Sequence, residues 1–163
     1  MTLRRIAMVA VPLLAVIAVA AWWAFRPELP VVDARVSEAA PTASSASATG
    51  ARTIASGQFR SYAHETSGVA TIIEVDGRRV LRLTGFSTSN GPDVHVTLVA
   101  ARDATDDAVV RRVGYVSLGS MKGNVGDQNY EVPSDLDLSQ YGAVTIWCER
   151  FSVNFGTAPL SKA

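Results

Sequence analysis

The hydrophobic and polar positions divide the chain into three stretches. Residues 6–25, IAMVAVPLLAVIAVAAWWAF, are apolar throughout, residues 26–56 are mostly small and polar, and residues 57–163 alternate short apolar runs with turn residues. The first stretch has about the 20 residues that a helix needs to cross a bilayer. The pattern therefore predicts a membrane-spanning helix, a flexible linker and a folded domain.

The third stretch has the pattern of an all-β domain. Runs rich in Val, Ile, Thr, Phe and Tyr recur between Gly, Asn, Asp and Pro, which is typical of strands and turns. We expect about eight strands, within residues 57–64, 68–75, 78–86, 93–100, 113–119, 128–133, 143–149 and 151–156. Such a number of short strands predicts a compact antiparallel β-sandwich, with a compact barrel as the alternative.

Turns and helices are sparse in this pattern. Asp76-Gly77 and residues 87–93, STSNGPD, predict hairpin connections, because Asp-Gly and Asn-Gly accept the positive φ angles of tight turns. A single helical turn is expected within residues 134–142. Asp106-Asp107 is interpreted as a solvated turn or a cap.

The apolar stretch also predicts where the domain is located. Arg4 and Arg5 precede it, so the positive-inside rule keeps residues 1–5 in the cytoplasm and exports the rest. The alternative is a secreted protein, because Ala18-Val19-Ala20 offers the small residues of a signal-peptidase site. Both interpretations place the domain at the cell surface or in the periplasm, and the first makes the membrane its partner through residues 6–25.

Residues 26–56 predict a disordered linker. Their centre, EAAPTASSASATGA, has few large apolar groups to bury, and it cannot offset the entropy cost of becoming ordered. We expect this tether to hold the domain away from the membrane.

Charge excludes one class of partner. The chain has 15 basic and 15 acidic residues and a formal net charge of zero. It therefore lacks the basic footprint of a nucleic-acid-binding protein. The expected partner is an unidentified extracytoplasmic protein.

Cys148 is the only cysteine, so an intrachain disulfide is excluded. Four interpretations remain: a buried, unreactive thiol; an intermolecular disulfide; an exposed redox thiolate with Arg150 on the same face of its strand; or a ligand of haem iron or another metal. Trp147 precedes it directly, and alternation places Val144 and Ile146 on the face of Cys148.

Candidate metal ligands are few. Asp93 and His95 lie two residues apart, which places them on one face of a strand, and His64 is the only other histidine. These three residues are the candidate metal site, with the solvated face of an edge strand as the alternative. The cofactor is unknown from the sequence. Haem and copper are the candidates, and a protein without a cofactor is the alternative, because Cys-x-x-Cys-His is missing and no His and Met follow Cys148.

Motifs of turnover enzymes are missing from the sequence. It contains no Gly-x-Ser-x-Gly, no His-Glu-x-x-His and no phosphate-binding loop that opens a helix. Residues 119–130, GSMKGNVGDQNY, are interpreted as a structured loop that needs positive φ and as a candidate rim of a binding surface. These absences argue against a turnover enzyme.

Three segments together resemble a known family. SNGPDVHVTLVA (89–100), LGSMKGNVGDQNYEVP (118–133) and VTIWCERFSVNFGTAPL (144–160) are similar, in order and spacing, to the DM-thirteen domain, an electron-transfer domain found beside DOMON domains in animals and alone in exported bacterial proteins. The resemblance covers roughly residues 57–160.

The resemblance implies a small β-sandwich with one characteristic cysteine, here Cys148, that acts in redox chemistry as a bare thiol or as the attachment point of a prosthetic group such as haem. The first hypothesis is therefore a membrane-anchored extracytoplasmic domain that acts as an electron carrier rather than an enzyme, with a redox role through Cys148 and an unidentified redox partner. A binding module is the alternative: the second hypothesis is a non-catalytic extracytoplasmic binding or adhesion module in which Cys148 is a buried structural residue.

Overall fold

A computed structural model describes residues 11–19, 32–43 and 50–163 of the chain. Residues 33–163 form one compact unit, which contains all the strands described below.

The N-terminal part is described only in its middle. Residues 11–19 are helical and their side chains are exposed. Among the described residues, we find no helix with the length and apolar character required to cross a bilayer. The rest of the predicted anchor, residues 6–10 and 20–25, lies outside the described residues, as do residues 1–5.

The domain consists of two β-sheets. In chain order, the strands of the described residues are β1 Arg35–Ser37, β2 Arg52–Gln58, β3 Arg60–Ser61, β4 Ser67–Val75, β5 Arg78–Ser87, β6 Val94–Val99, β7 Tyr115–Ser120, β8 Val125–Val132, β9 Ala143–Cys148, β10 Val153–Pro159 and β11 Ser161–Lys162. The first sheet has the order β1-β8-β5-β4-β2-β11, and the second has the order β3-β10-β9-β6-β7. The all-β fold is therefore confirmed, and each of the eight expected strands overlaps an observed one.

The two sheets pack on each other as a sandwich. Alternating residues of the central strands face inward from both sheets, and together they form one buried core that includes Ile72, Leu81 and Leu83 of the first sheet and Val96 and Ile146 of the second. Burial of these side chains supplies the main favourable free energy of folding.

One of the two expected hairpins is present. Asp76 and Gly77 have φ angles of 49° and 73° and join β4 to β5, as a tight primed turn requires. The expectation of a hairpin over residues 87–93 is wrong. This segment instead crosses from the first sheet to the second, because both sides of β5 are already paired, with β4 and with β8.

A short helix, α1 Asp107–Val113, was not expected from the sequence pattern. The side chain of Asp106 caps it by accepting a 2.8 Å hydrogen bond from the backbone N–H of Val109, and Gly114 ends it. The interpretation of Asp106 as a cap is thus confirmed. The helical turn expected within residues 134–142 is a single 3-10 turn at Leu138–Gln140.

Two predictions of irregular structure need correction. The disordered linker predicted over residues 26–56 contains β1 and most of β2, because β1 pairs with β8 at one edge of the first sheet and β2 pairs with both β4 and β11. The loop predicted over residues 119–130 is irregular only at 121–124, between β7 and β8. Residues 44–49 of the linker lie outside the described residues.

Candidate functional site

Cys148 is the last residue of β9, a central strand of the second sheet. β9 is hydrogen-bonded to β6 on one side and to β10 on the other, and all six of its residues are buried. The side chains of Val144, Ile146 and Cys148 join the core between the sheets, whereas Trp147 belongs to a separate cluster on the outer face. The side chains of Trp147 and Cys148 therefore lie in two different environments, although the residues are consecutive.

The thiol of Cys148 is free and completely buried, with a relative exposure of 0%. Its neighbours across the sheet are Val94 on β6 and Val153 on β10. In such a setting cysteine packs as a small hydrophobic side chain. The structure thus places Cys148 in the first of the four environments considered from the sequence.

The cation expected beside the thiol is elsewhere. β9 ends at Cys148, so the alternation of side chains does not extend to Arg150, which is exposed in the following turn. In that turn the backbone N–H of Ser152 donates to the carbonyl of Glu149, and Ser152 has a φ angle of 53°. Arg150 therefore does not lie on the face of Cys148.

Trp147 lies under α1 on the outer face of the second sheet. It packs in a cluster with Val99, Ala104 and Val110, and the ring of Tyr115 lies 5.9 Å from its own, centroid to centroid. The indole Nε1 is buried and has no hydrogen-bond partner. Trp147 is thus an enclosed aromatic group with one aromatic neighbour.

Tyr115 connects this cluster to the surface. Its side chain is half-buried, and its hydroxyl donates a 2.6 Å hydrogen bond to the carboxylate Oε2 of Glu149. Burial, followed by the hydrogen bond and the negative charge of Glu149, raises the pKa of the Tyr115 phenol. The sequence pattern did not single out Tyr115 or Glu149, because a tyrosine in a strand and a glutamate after one are common.

Asp93 and His95 do come together as expected. The two ring nitrogens of His95 are both engaged, Nε2 with Oδ1 of Asp93 at 3.0 Å and Nδ1 with Oγ of Ser117 at 3.0 Å. His95 stands opposite Trp147 in the β6–β9 pair, and Cys148 stands opposite Val94. Since residues opposite each other share a face, His95 and Cys148 lie on different faces of the sheet.

His64 does not join this pair. Its ring packs at a tilt of 41° against that of Phe155, with the centroids 3.9 Å apart, and its backbone N–H donates to the carbonyl of Phe155. Within residues 11–19, 32–43 and 50–163, no three His, Cys, Asp or Glu side chains are grouped closely enough to hold a metal ion.

The surroundings of Cys148 do not fit a haem or a copper ion. The thiol lies among apolar core residues. His95 is a candidate ligand on the neighbouring strand β6, but its side chain is on the opposite face of the sheet. Copper and haem iron both require further ligands or an open cavity at the metal.

The comparisons with known proteins give one match. A family model described as "Electron transfer DM13" matches residues 58–160. No curated protein and no solved structure matches the chain.

Proposed function

Because the chain belongs to the DM13 family of electron-transfer domains, we propose that it is an extracytoplasmic electron-transfer domain in which Cys148 exchanges electrons through Trp147 and Tyr115. The observation that carries this proposal is the position of Tyr115. Its ring lies beside that of Trp147, and its hydroxyl is bonded to Glu149.

Burial of Cys148 limits what its thiol can do in the folded protein. Thiol–disulfide exchange requires a sulfur atom of the partner to reach Sγ, and a side chain with 0% exposure does not allow that approach. Electrons, in contrast, pass between neighbouring π systems without contact of the partner with the redox group. The proposed role is therefore electron exchange through the aromatic side chains.

Tyr115 and Glu149 form the outer end of this path. When an external one-electron acceptor oxidises Tyr115, the phenolic proton passes along the 2.6 Å hydrogen bond to the carboxylate of Glu149. The products are a neutral tyrosyl radical and a protonated Glu149, and the charge of the site rises by one unit, which matches the electron that leaves. Reduction returns the electron and the proton to Tyr115. When Cys148 supplies that electron through Trp147, Glu149 returns its proton to Tyr115, and the thiol loses one electron and one proton to become a thiyl radical. The thiol proton leaves to water during local opening at the end of β9.

Location is part of the same proposal. The apolar residues 6–25 would anchor the chain in the membrane with residues 1–5 in the cytoplasm, or they would be removed by signal peptidase. The mass of the protein recovered from cells, together with its partition between membrane and soluble fractions, separates these two forms.

One-electron oxidation followed by electron paramagnetic resonance tests the proposed path. The measurement uses the chain with Trp22→Phe and Trp23→Phe, which leaves Trp147 as the only tryptophan. We expect a tyrosyl signal that Tyr115→Phe removes and that Cys148→Ala makes longer-lived. Tyr62→Phe is the matched control, since Tyr62 is also half-buried and has no described contact with Trp147.

Two results would contradict the proposal. If the radical is equally strong in Tyr115→Phe and in Tyr62→Phe, Tyr115 is not the site of oxidation. If Cys148→Ala leaves the lifetime of the radical unchanged, the cysteine takes no part, and only its structural role remains.

Complete burial of Cys148 favours a second candidate function, a non-catalytic extracytoplasmic binding or adhesion module. In that case Cys148→Ala retains binding to the partner, and Tyr115→Phe has no effect on it. The two candidates thus differ in a measurable way at the same two residues.

A further inference from the structure

The edge of β8 is covered by a segment that precedes the family match. Residues 33–39, which we call the docked segment, run beside β8, and β1 within it pairs with Val125–Asp127 in parallel. The residues that receive it, which we call the β8 groove, all lie within the matched span 58–160, and the docked segment does not. The groove consists of Arg82, Lys122, Gly123, Asn124, Gly126, Asp127 and Asn129.

Asn124 holds the beginning of the docked segment. Its side chain is only 2% exposed and makes hydrogen bonds to two consecutive residues. Nδ2 donates to Oδ1 of Asp33 at 2.7 Å, and Oδ1 accepts from the backbone N–H of Ala34 at 2.7 Å. Nδ2 also donates to the carbonyl of Thr88 at 3.1 Å, so the segment supplies the partner of the amide oxygen and one of the two acceptors of the amide nitrogen. Loss of the segment would leave the buried amide oxygen unpaired, which costs free energy.

Glu38 anchors the other end. Its carboxylate accepts hydrogen bonds from Nζ of Lys122 at 2.7 Å and from the backbone N–H of Asn129 at 2.6 Å. Its carbonyl accepts a 3.1 Å hydrogen bond from the guanidinium of Arg82. Lys122 is thus the cation that pairs with the Glu38 carboxylate, whereas Arg82, which is ion-paired with Asp127 of the groove at 2.6 Å, binds the backbone of Glu38.

Two glycines make room for the backbone of the segment. A Cβ atom at Gly123 would clash with the carbonyl oxygen of Ala34, and one at Gly126 would clash with that of Val36. At Gly123 the three nearest atoms all belong to the docked segment. The groove is therefore shaped for a passing polypeptide backbone.

The middle of the docked segment contributes little side-chain specificity. Arg35 and Ser37 are exposed, and Val36 is half-buried. The groove thus contacts the backbone throughout and recognises side chains at the two acidic positions, Asp33 and Glu38. This is the pattern of strand addition, in which backbone hydrogen bonds give affinity and a few side chains give specificity.

We propose that the β8 groove is a binding site for an extended polypeptide segment with acidic residues five positions apart, and that residues 33–39 occupy it as a built-in competitor. A partner segment of this chemistry would replace the docked segment along β8. The proposal does not depend on electron transfer, and it would give the second candidate function its binding site.

The first step of the test releases the docked segment in the full-length chain. Asp33→Lys/Glu38→Lys places two cations against the groove, and we expect trypsin to cleave after Arg35 at least tenfold faster than in the wild-type protein. Glu38→Gln, a milder change, should give an intermediate rate. If Arg35 stays protected in both variants, the two carboxylates do not hold the segment, and the proposal is overturned.

The second step measures binding with a fluorescein-labelled peptide of residues 32–41, VDARVSEAAP. We expect saturable binding to Asp33→Lys/Glu38→Lys and at least tenfold weaker binding to the wild-type chain, because a tethered competitor has an effective concentration in the millimolar range. The peptide with Glu38→Lys should not bind. Absence of peptide binding to a variant whose Arg35 has become cleavable overturns the proposal.

Further substitutions in the Asp33→Lys/Glu38→Lys variant test whether the peptide binds in the β8 groove. Gly123→Ala should abolish binding. Gly50→Ala adds a methyl group in open space away from the groove, at a strained φ of 58°, and should not abolish it. Tyr115→Phe should also leave peptide binding unchanged, which separates this result from the electron-transfer proposal. A wild-type dimer that Glu38→Lys dissociates would mean that a second copy supplies the segment, and this would overturn the built-in competitor.

Discussion

Cys148 and His95 lie on opposite faces of one sheet, although the two strands that carry them are hydrogen-bonded neighbours. The residue opposite His95 on β9 is Trp147, and the residue opposite Cys148 on β6 is Val94. The imidazole therefore lies on the outer face with Asp93 and Ser117, while the thiol lies in the core. Because the position opposite His95 is Trp147 and not Cys148, the imidazole and the thiol that a shared metal site would need lie on different faces of the sheet.

Burial predicts the reactivity of the thiol. Cys148 should not react with iodoacetamide in the native protein and should react completely after unfolding in urea, because a thiol must be accessible to attack the reagent. The matched control is Ser120→Cys in a Cys148→Ala chain, since Ser120 is exposed at the end of β7. Mass spectrometry measures both reactions, and native labelling of Cys148 at the rate of the control would contradict the buried position.

Substitutions at Cys148 should separate polarity from volume. Cys148→Ser places a hydroxyl without a partner in the apolar core, and we expect it to lower the free energy of unfolding by about 1–3 kcal/mol. Cys148→Ala removes one heavy atom, and we expect a loss of about 1 kcal/mol. Urea titration measures both variants, and a serine variant as stable as the wild type would show that water reaches the site.

Tyr130 should make the domain sensitive to alkali. Burial raises the pKa of Tyr130 to about 12, and its side chain is only 4% exposed. The folded state favours the neutral phenol. The contribution of Tyr130 to the free energy of unfolding is therefore complete below pH 10 and is lost as the pH rises from about 10 to about 12. We expect a decrease in the free energy of unfolding of roughly 2–3 kcal/mol over this range.

Tyr130→Phe is the control for this prediction. The Tyr130 hydroxyl donates to Oε1 of Gln128 and accepts from the backbone N–H of Lys122, so the variant should be less stable at pH 8 but should lose less stability between pH 10 and pH 12. Equal pH dependence of the two proteins in urea titrations would show that Tyr130 is not the group responsible.

Acid should weaken the docked segment through Glu38. The hydrogen bond from Lys122 lowers the pKa of Glu38 below the ordinary 4.5, against the opposing effect of burial. The ionised form is favoured in the folded state, so docking is complete above pH 4.5 and is lost as the pH falls through the lowered pKa of Glu38. The amide resonance of Asn129, whose N–H donates to Glu38, should therefore titrate with a midpoint below 4.5 in NMR spectra.

Glu38→Gln should remove this titration, because it keeps the shape of the side chain without its proton equilibrium. Persistence of the same midpoint at Asn129 in the variant would assign the titration to a different carboxylate.

The cap of α1 should stabilise the domain by about the free energy of one hydrogen bond. Asp106→Ala leaves the N–H of Val109 without its partner and should lower the free energy of unfolding by about 0.5–2 kcal/mol. Asp106→Asn, which retains an accepting oxygen, should lose less. Thermal unfolding measures both, and equal losses would mean that the charge rather than the hydrogen bond stabilises the helix.

Most of the fold could be predicted from the sequence because its signals are local. Alternation of apolar residues marked the strands, and Asp76-Gly77 marked its turn through φ preferences that depend on two residues alone. The crossover at 87–93 could not be recognised in this way, because Asn90-Gly91 allows a turn whether the next strand joins the same sheet or the other. The helix at Asp107–Val113 is stabilised by its cap and by packing over Trp147, and only the first of these leaves a local signal.

The candidate site was predicted in its residue types but not in its geometry. Alternation correctly placed Val144, Ile146 and Cys148 on one apolar face, and adjacency correctly brought Asp93 to His95. Tyr115 and Glu149 were missed, because they meet only when β7 folds against the end of β9 through β6.

The sequence by itself determined the composition of each strand, the isolation of the single cysteine and the family to which residues 58–160 belong. Only the tertiary structure decided that Cys148 faces the core, that His95 faces away from it, and that residues 33–39 lie along β8. The physical reason is that side-chain periodicity defines two faces of a strand, while the pairing of strands far apart in the sequence decides what each face contacts. The docked segment shows this most clearly, because its hydrogen bonds join Asp33 and Glu38 to residues about 90 positions away.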